Sequence, residues 1–284
     1  MADVELTLQE VADALGVHYM TAYRYVRLGV LDASKTAGTW KVHQSDVDAF
    51  RSGATATIDS SVGGRRRAPW AERLEARLLA GDGRGAWGVI EAALAAGGQL
   101  ESIYVDVMWP ALASIGERWE RGEIDVADEH RASGIAIRLI GRLGPRFARR
   151  GRTRGQVLLG APAGEQHFLS LAMLGDLIRQ QGWEVSDLGA DVPTASFATA
   201  AVDCGDDLVA VGMSASTAER LPALVEAIAA VHAAVPAVPV MVGGMAVAGE
   251  DHARSIGADR YVASARDIGA VMESLPPRRA AAAN

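Results

Sequence analysis

The spacing of hydrophobic residues divides the chain into three regions. The first region, residues 7–51, has two short helical periods on either side of the turn Gly16-Val17-His18, followed by a polar stretch at 35–42. This spacing predicts a winged helix-turn-helix, with 35–42 as a two-stranded wing. Ser45 is expected to cap a further short helix that runs through Phe50.

The second region has a helical period in nearly every segment, which predicts a four-helix bundle. Its expected helices lie near 70–80, 84–96, 99–120 and 126–147. The inward face of the third helix is expected to carry Leu100, Tyr104, Val107, Ala111, Ile115 and Trp119. Pro110 should kink that helix, whereas Asp125, with Asp128 three residues later, should cap the fourth.

The third region alternates short apolar runs with helical sequence. The predicted strands are Gln156–Ala161, Trp183–Leu188, Leu208–Met213, Val238–Val242 and Arg260–Val262. Five such units predict a Rossmann-like, doubly wound parallel sheet, in which ligands bind beyond the carboxyl ends of the strands. The fold class is therefore multidomain. Its predicted parts are the DNA-binding domain 1–52, a flexible linker 53–68, the bundle 69–148, the sheet domain 149–276 and a tail 277–284.

Composition narrows the class of protein. The 284 residues are 49% hydrophobic and 22% charged, and the sequence pI of about 5.4 excludes a strongly basic coat. The single Cys204 and the absence of a signal-peptide pattern at the N-terminus favour a cytoplasmic protein. No membrane partner is expected, because prolines and glycines interrupt the most apolar stretch, 227–248, which is interpreted as a helix end, a loop and a buried strand.

The second predicted helix carries side chains suited to DNA bases and phosphates: Tyr19, Thr21, Arg24, Tyr25 and Arg27. However, residues 1–51 contain five Lys or Arg against seven Asp or Glu, a net charge of −2. One module alone should therefore bind operator DNA weakly, and two or more copies are needed.

The candidate chemistry involves two regions. Trp119 and the pair Glu129-His130 belong to the bundle, and Glu165-Gln166-His167 follows the first strand of the sheet domain. Two neighbouring domains could thus close on one flat ligand, which suggests a metal-centred tetrapyrrole. Imidazole is a good ligand for cobalt or iron, and Glu165 could bind its other nitrogen. The sheet edge is further expected to hold the small residues Ser170, Ser214, Ser216, Gly243 and Gly244, of which Ser170 and the two glycines would let a bulky group approach.

These residues and the domain order resemble the cobalamin-dependent photoreceptor repressors related to CarH. The family's Trp, nine residues, Glu-His pattern is matched by Trp119, Glu129 and His130, and its Glu/Asp-x-His-x-x-Gly motif by Glu165, His167 and, imperfectly, Ser170. The resemblance implies a non-enzymatic regulator that binds adenosylcobalamin, with His167 as the lower axial cobalt ligand.

The resemblance also implies how the regulator responds to light. Trp119 would cover the upper face, and Glu129 and His130 would contact the adenosyl group. Light would cleave the cobalt-carbon bond, move the bundle against the sheet, and thereby change a homo-oligomer, dimer or tetramer, on operator DNA.

Three positions depart from the family pattern. Serine replaces glycine at Ser170 and leucine at Ser216, and Glu120 stands where light-sensing relatives have a histidine that can bind cobalt. These departures leave two alternatives open, a sensor of another tetrapyrrole such as the bilin biliverdin, and a corrinoid shuttle protein for methyl transfer. The plainer alternative is that Trp119 is a core residue and that Glu129-His130 only begins a helix.

Overall fold

The chain forms two compact units, Met1–Ala68 and Pro69–Asn284. The computed structural model describes residues 5–17, 19–27, 31, 33–36, 39–48 and 69–275. The predicted linker 53–68 and tail 277–284 therefore lie outside the described residues.

The N-terminal unit combines short helices with a three-stranded antiparallel sheet in the order β1-β3-β2. Its elements are β1 (Glu5–Thr7), α1 (Leu8–Leu15), α2 (Tyr19–Arg27), β2 (Ser34–Thr36), β3 (Thr39–His43) and α3 (44–48). Thr7 caps α1, since its Oγ1 accepts from the Glu10 backbone N–H at 3.3 Å and the Glu10 carboxylate accepts from the Thr7 N–H at 2.7 Å. Gly16 ends α1 at a left-handed φ of 65°.

Two predictions for this unit have different outcomes. The two helices and the antiparallel pair β2 and β3 lie where the sequence predicted them. Helix α3 begins at residue 44, one residue before the predicted cap, so the capping role of Ser45 stays a prediction. The turn between β2 and β3 and the predicted helix end at Phe50 lie outside the described residues.

The helical region follows the predicted spans closely. Its helices are α4 (Trp70–Leu79), α5 (Gly83–Ala95), α6 (Leu100–Ser102), α7 (Trp109–Glu120) and α8 (Val126–Leu143). Asp125 caps α8, because its carboxylate accepts from the Asp128 N–H at 2.8 Å, as predicted. Helix α8 ends at Leu143, four residues before the predicted end, and a 3-10 turn that contains Pro145 follows.

A π-helical segment, Ile103–Met108, joins α6 to α7. Trp109 N–H bonds to the Tyr104 carbonyl, five residues back, immediately before Pro110. Proline has no N–H and its ring clashes with the carbonyl four residues earlier in a regular α-helix. The structure has a widened turn at the place where the sequence predicted a kink, and α7 continues beyond it to Glu120.

The inward face predicted for this long helix is correct except at its end. Tyr104, Val107, Ala111 and Ile115 are buried, whereas 44% of Trp119 is exposed. Trp119 is the last apolar position of the helical period, one residue before the end of α7. The neighbouring helices leave this part of α7 partly exposed. The interpretation of Trp119 as a core residue is therefore wrong.

The last region forms a five-stranded parallel sheet in the order β5-β4-β6-β7-β8. The strands are β4 (Gln156–Gly160), β5 (Glu184–Asp187), β6 (Leu208–Ser214), β7 (Val240–Gly243) and β8 (Arg260–Tyr261). Strand boundaries differ from the predictions by at most two residues. The stretch 227–248 is, as predicted, a helix end, a loop and a buried strand, and among the described helices none is long and apolar enough to cross a membrane.

Helices cover both faces of this sheet, which makes it doubly wound. The helices are α9 (Leu169–Gln180), α10 (Thr194–Asp203), α11 (Leu221–Ala234), α12 (Glu250–Ser255) and α13 (Ile268–Glu273). Leu159 on β4 packs into one core with Leu177 of α9, and its neighbour Leu158 packs into the other with Phe197 and Leu224. Cys204 lies at the amino-terminal edge of the sheet, before β6.

The helical region shares the first of these two cores, so its helices and the sheet are one packed body. Tyr104 is fully buried, stacks on Phe147 at 4.6 Å between ring centroids, and donates its hydroxyl to Asp176 of α9 at 2.7 Å. Burial, together with this hydrogen bond, raises the pKa of Tyr104. The neutral hydroxyl therefore remains a hydrogen-bond donor to the buried Asp176.

Candidate functional site

The loop that follows β4 carries Glu165 and His167 to the carboxyl edge of the sheet, as predicted. The loop turns tightly because the Glu165 N–H donates to the Pro162 carbonyl at 2.9 Å. It is also held to the loop after β5, since Asp191 Oδ1 accepts from the Gly164 N–H at 2.6 Å. These bonds fix the loop independently of any ligand.

Glu165 holds His167 by two hydrogen bonds, in the way that the sequence suggested. The Glu165 Oε1 atom accepts from the His167 Nδ1–H at 2.6 Å and from its backbone N–H at 2.9 Å. The other oxygen, Oε2, accepts from the backbone N–H of Ser216 at 2.6 Å. The side chain of Glu165 is only 2% exposed, whereas that of His167 is 65% exposed. Nε2 is consequently the nitrogen that His167 presents to a ligand.

Electrostatics keep this carboxylate ionised. Burial alone would raise the pKa of Glu165, but the hydrogen bonds from His167 and Ser216 outweigh burial and lower the pKa to about 2. The hydrogen bond to Glu165 raises the pKa of His167, burial opposes this, and the charges of Glu129 and Glu120 act in the same direction as Glu165. Carboxylates from the last turn of α7 and the first turn of α8 thus contribute, after Glu165, to the raised pKa of His167.

The predicted residues of the helical region lie where α7 ends and α8 begins. Trp119 belongs to the last turn of α7, and Glu129 and His130 to the first turns of α8. Glu129 is held from two sides, since Ser133 Oγ donates to it at 2.5 Å and His130 Nδ1 lies 2.7 Å from its carboxylate. The His130 side chain is 75% exposed. The partly exposed Trp119 and His130 thus have surface available for a ligand.

Gly243 ends β7 and Gly244 follows it, and the surrounding backbone leaves little room for a side chain at either position. Gly244 has a φ of 93°, and a Cβ there would lie 2.2 Å from the Ala215 carbonyl oxygen and 2.8 Å from Ser214 Oγ. A Cβ on Gly243 would lie 3.1 Å from the Val262 carbonyl oxygen. The loops after β6 and β7 consequently pack directly against each other at the edge that holds His167.

The three serines of the predicted site play different parts. Ser170 lies half-buried in the first turn of α9, and Ser214 ends β6 with 7% of its surface exposed. Ser216 contributes its backbone N–H to Glu165. The structure thus brings Ser216 into direct contact with the Glu165–His167 pair.

The residues predicted to bind DNA lie on α2 of the other unit. Tyr19 and Tyr25 are half-buried and pack against the core of that unit. The side chains of Thr21, Arg24 and Arg27 lie outside the described part of the structure. Their contribution to DNA binding stays a prediction.

Sequence reasoning missed two residues that shape the loop. Asp191 adopts a positive φ of 55° and both donates to the Glu165 carbonyl, at 2.9 Å, and accepts from Gly164. Arg220 lies against Gly164, where a Cβ would be 2.4 Å from its Nη1 atom. The Gly189-Ala190-Asp191 sequence after β5 was a usable signal for Asp191, because aspartate tolerates left-handed backbone in turns.

Comparison with known protein families gives the class of protein that this fold and site define. Residues 155–270 and 70–143 each match a model described as a B12 binding domain, and residues 5–54 match one described as a helix-turn-helix domain. The chain therefore combines a helix-turn-helix domain with B12-binding domains.

Individual relatives of the chain include two transcriptional repressors. The chain is 32% identical over 179 residues to the HTH-type transcriptional repressor CarH of Myxococcus xanthus (62% of this chain, 58% of the relative). It is 30% identical over 179 residues to the repressor CarA of the same organism (58% and 55%). The chain thus spans little more than half the length of these relatives. Over that part, the chain is similar to these repressors in domain composition and in sequence.

Corrinoid proteins are similar as well. The dimethylamine corrinoid protein of Methanosarcina barkeri is 28% identical over 166 residues (57% of this chain, 76% of the relative). The solved monomethylamine corrinoid protein of Methanosarcina barkeri superposes with a TM-score of 0.62 at 19% identity, over 72% of this chain and 96% of that chain. The structural likeness shows that the fold is shared.

The residues at the sheet edge suit a corrin cofactor. A histidine whose Nδ1 is bonded to a buried carboxylate is a strong neutral ligand through Nε2, and cobalt accepts imidazole nitrogen. Trp119, 44% exposed, has a free aromatic surface of the kind that a flat macrocycle covers.

Proposed function

We propose that the chain is a cobalamin-binding transcriptional regulator, with adenosylcobalamin as its ligand and operator DNA as its partner. The observation that carries this proposal is the hydrogen-bonded pair of His167 and the buried Glu165 at the carboxyl edge of the sheet. A regulatory role rests on the helix-turn-helix domain and on the similarity to the two repressors. We expect no catalytic activity.

Each site residue has a distinct part in this proposal. His167 would hold the cobalt through Nε2, and Glu165 fixes the tautomer of His167 and increases its basicity. Cobalamin, when bound, supplies a cobalt ion with a light-sensitive bond to carbon. Trp119 would contact the macrocycle, and Glu129 and His130 would contact the adenosyl group, with Ser133 holding the Glu129 carboxylate in place.

The same residues give a route from ligand to DNA. Trp119 and Glu129 lie at the ends of α7 and α8, so a change in what they contact shifts the balance of arrangements of these helices at the sheet edge. A shift of that kind alters the surface through which copies associate as a dimer or tetramer. Association matters because residues 1–51 carry a net charge of −2 and bind DNA usefully only when several modules act together.

The test is an absorption spectrum of purified protein after incubation with adenosylcobalamin or with biliverdin, in the dark and after green illumination. We expect the protein to retain cobalamin and its spectrum to change on illumination. His167→Ala should abolish the retention. The matched control is His232→Ala, at the end of α11, whose Nε2 bonds to the Gly257 carbonyl at 3.2 Å and which should bind normally.

Other results would redirect the proposal. Retention of biliverdin in place of cobalamin would make the chain a bilin sensor. Binding that does not depend on His167 would remove the axial ligand from the proposal. A spectrum unchanged by green light would leave a cobalamin regulator that responds to cofactor supply.

A second candidate is a corrinoid shuttle for methyl transfer, which the similarity to the dimethylamine corrinoid protein favours. The helix-turn-helix domain has no use in such a carrier. Incubation of the reconstituted protein with a methyltransferase and a methylamine distinguishes the two, because only a carrier turns over repeatedly. We expect no turnover.

A further inference from the structure

The arginines of this acidic chain are concentrated in one stretch. Residues 130–164 contain eight arginines and no aspartate or glutamate, in a chain whose formal net charge is −7. Five of the eight lie within nine residues, 146–154, where the chain passes from the helical region into β4. So uneven a distribution indicates a local function for the charge.

Intramolecular contacts account for only some of these side chains. Arg131 pairs with Asp128 at 3.0 Å, Arg142 stacks on Trp87 at 3.6 Å from the ring centroid, and Arg154 pairs with Glu273. Five others are exposed, and within the described parts of the chain no hydrogen bond or ion pair engages them: Arg138 on α8, and the neighbouring Arg146, Arg149, Arg150 and Arg152 after it. The last four lie together before β4. We call these four residues the arginine surface.

The arginine surface lies at the amino-terminal edge of the sheet, opposite the edge that carries His167. It borders a cleft of about 600 Å³ that is lined by Arg146, Arg149, Arg154, Arg266, Gln180 and Gln181, together with Glu101 and Glu273. Arg154 neutralises Glu273 there. Arg266 is likewise paired with Asp106, so the guanidinium groups that the cleft leaves unpaired are those of Arg146 and Arg149, with Glu101 as the remaining acid.

We propose that the arginine surface binds the phosphate backbone of duplex DNA. The proposal rests on the proposed function, because it assigns the regulator a second DNA contact outside its helix-turn-helix domain. Guanidinium groups pair with phosphate oxygens through two parallel hydrogen bonds. Such contacts position a protein on the duplex without reading the DNA sequence.

Charge complementarity selects DNA as the occupant. Residues 1–51, with a net charge of −2, have few cations with which to release counterions from a duplex. The four arginines of the arginine surface supply additional cations for contacts with phosphate groups. A second copy of this chain is the other acidic candidate, and the experiment below separates the two.

The experiment measures binding of the full chain to a labelled duplex of random sequence by fluorescence anisotropy over a series of salt concentrations. The variant combines Arg149→Gln, Arg150→Gln and Arg152→Gln. Each phosphate contact contributes about 0.9 to the slope of log K against log salt, so we expect the slope to fall by about 2 to 3. The matched control combines Arg73→Gln, Arg84→Gln and Arg254→Gln, which removes the same charge elsewhere and should change the slope by less than about 1.

Three outcomes would overturn the proposal: no binding of wild type to the duplex, an unchanged slope in the variant, or an equal fall in the control. If the variant keeps the slope but sediments as a smaller species without DNA, the arginine surface binds an acidic face of a second copy. Cobalamin retention and its dependence on His167 need no DNA, so failure here is distinct from failure of the proposed function. Normal cobalamin retention by the variant also verifies that it is folded.

Discussion

Glu165 is a single carboxylate with three donors around it and almost no access to water. Two of these donors come from His167 and one from the backbone of Ser216. Its ionised state is fixed by those bonds, which lower its pKa to about 2 against the effect of burial. The position of His167 therefore depends on a side chain that itself has little surface for a ligand.

Glu165→Gln tests that dependence. A glutamine has one acceptor oxygen, so its NH₂ group must face either the Ser216 N–H or the His167 Nδ1–H, and one donor is left unpaired. We expect cobalamin affinity to fall by about 10- to 100-fold, as when outer partners of metal-binding histidines are removed. A spectrophotometric titration measures it, with the exposed Glu184→Gln on β5 as control. Equal affinities would show that Glu165 does not act on His167.

Glu120 stands where the light-sensing proteins that this chain resembles have a histidine, and we expect this difference to affect the spectrum of bound cobalamin. It is exposed at the end of α7, and its charge acts on His167. We expect Glu120→His to give an illuminated cobalamin spectrum that differs from that of wild type, because it adds a second imidazole next to Trp119. Glu120→Gln, which removes the charge without adding a nitrogen ligand, should resemble wild type. Identical spectra for all three proteins would mean that position 120 does not reach the cofactor.

Sequence alone predicted the part of the site that is local in the chain. Glu165 and His167 are two residues apart, so their spacing was enough to suggest their hydrogen bond. The bond from Ser216 joins residues 51 positions apart and uses a backbone N–H, which every residue except proline has. No side-chain pattern could therefore have indicated it.

At the scale of elements, the π-helical segment Ile103–Met108 connects the helical region to the sheet. Tyr104 bonds to Asp176 of α9, and Asp106 forms an ion pair with Arg266 before α13. The segment thus anchors the helix that ends at Trp119. π-Helical turns are frequent at functional sites.

Tyr104→Phe removes one of these anchors. Asp176 is 4% exposed and keeps its ion pair with Arg179 at 2.9 Å, but loses a donor that is itself fully buried. We expect the free energy of unfolding to fall by about 1–3 kcal/mol, measured by urea denaturation. Tyr261→Phe on β8 is the control and should lower the free energy of unfolding by a smaller amount. A loss below about 0.5 kcal/mol would indicate that the bond contributes no net stability.

Helix α7 also carries an acid with an unusual pKa. Burial, with the nearby charges of Glu120 and Glu75, raises the pKa of Glu117 from 4.5 to about 7, although Arg121 opposes this. Between pH 4.5 and 7 the folded protein then binds more protons than the unfolded chain, so its stability falls as pH rises.

Glu117→Gln should flatten this dependence. The full pKa shift of Glu117 corresponds to about 3 kcal/mol of unfolding free energy. Because the side chain is 30% exposed, solvent screening reduces the effect, and we expect the variant to be more stable than wild type at pH 8 by about 1–2 kcal/mol. Thermal melts at pH 5 and pH 8 measure it, with the exposed Glu91→Gln as control. A wild-type melting temperature that does not change across this interval would contradict the raised pKa.

The elements themselves were largely predictable, because hydrophobic spacing decides them. The strands followed from apolar runs, and the cap of α8 from two aspartates three residues apart. The exposure of Trp119 was not predictable, since the helical period continues through it and only the neighbouring helices determine where coverage stops. The widened turn before Pro110 was equally hidden, because a proline indicates that a regular helical hydrogen bond is lost but not how the neighbouring turn compensates.

At the scale of the whole molecule, the two units have separate hydrophobic cores. A ligand that binds only one of them stabilises that one by mass action. Cobalamin at about a hundred times its Kd should add about 2.7 kcal/mol, and so raise the melting temperature of the unit 69–284 by about 5–10 °C. The transition of the N-terminal unit should stay unchanged in the same calorimetric scan. A common shift of both transitions would mean that the units unfold together, and His167→Ala should remove the shift.

The backbone bond from Ser216 also bears on how this protein can change over evolutionary time. Because the donor is an N–H and not a side chain, natural variation at position 216 leaves Glu165 fully bonded unless it introduces proline. The serine that departs from the family pattern there is therefore neutral for His167. Selection is therefore free to vary this position of the proposed cofactor cleft while His167 keeps its hydrogen bonds to Glu165.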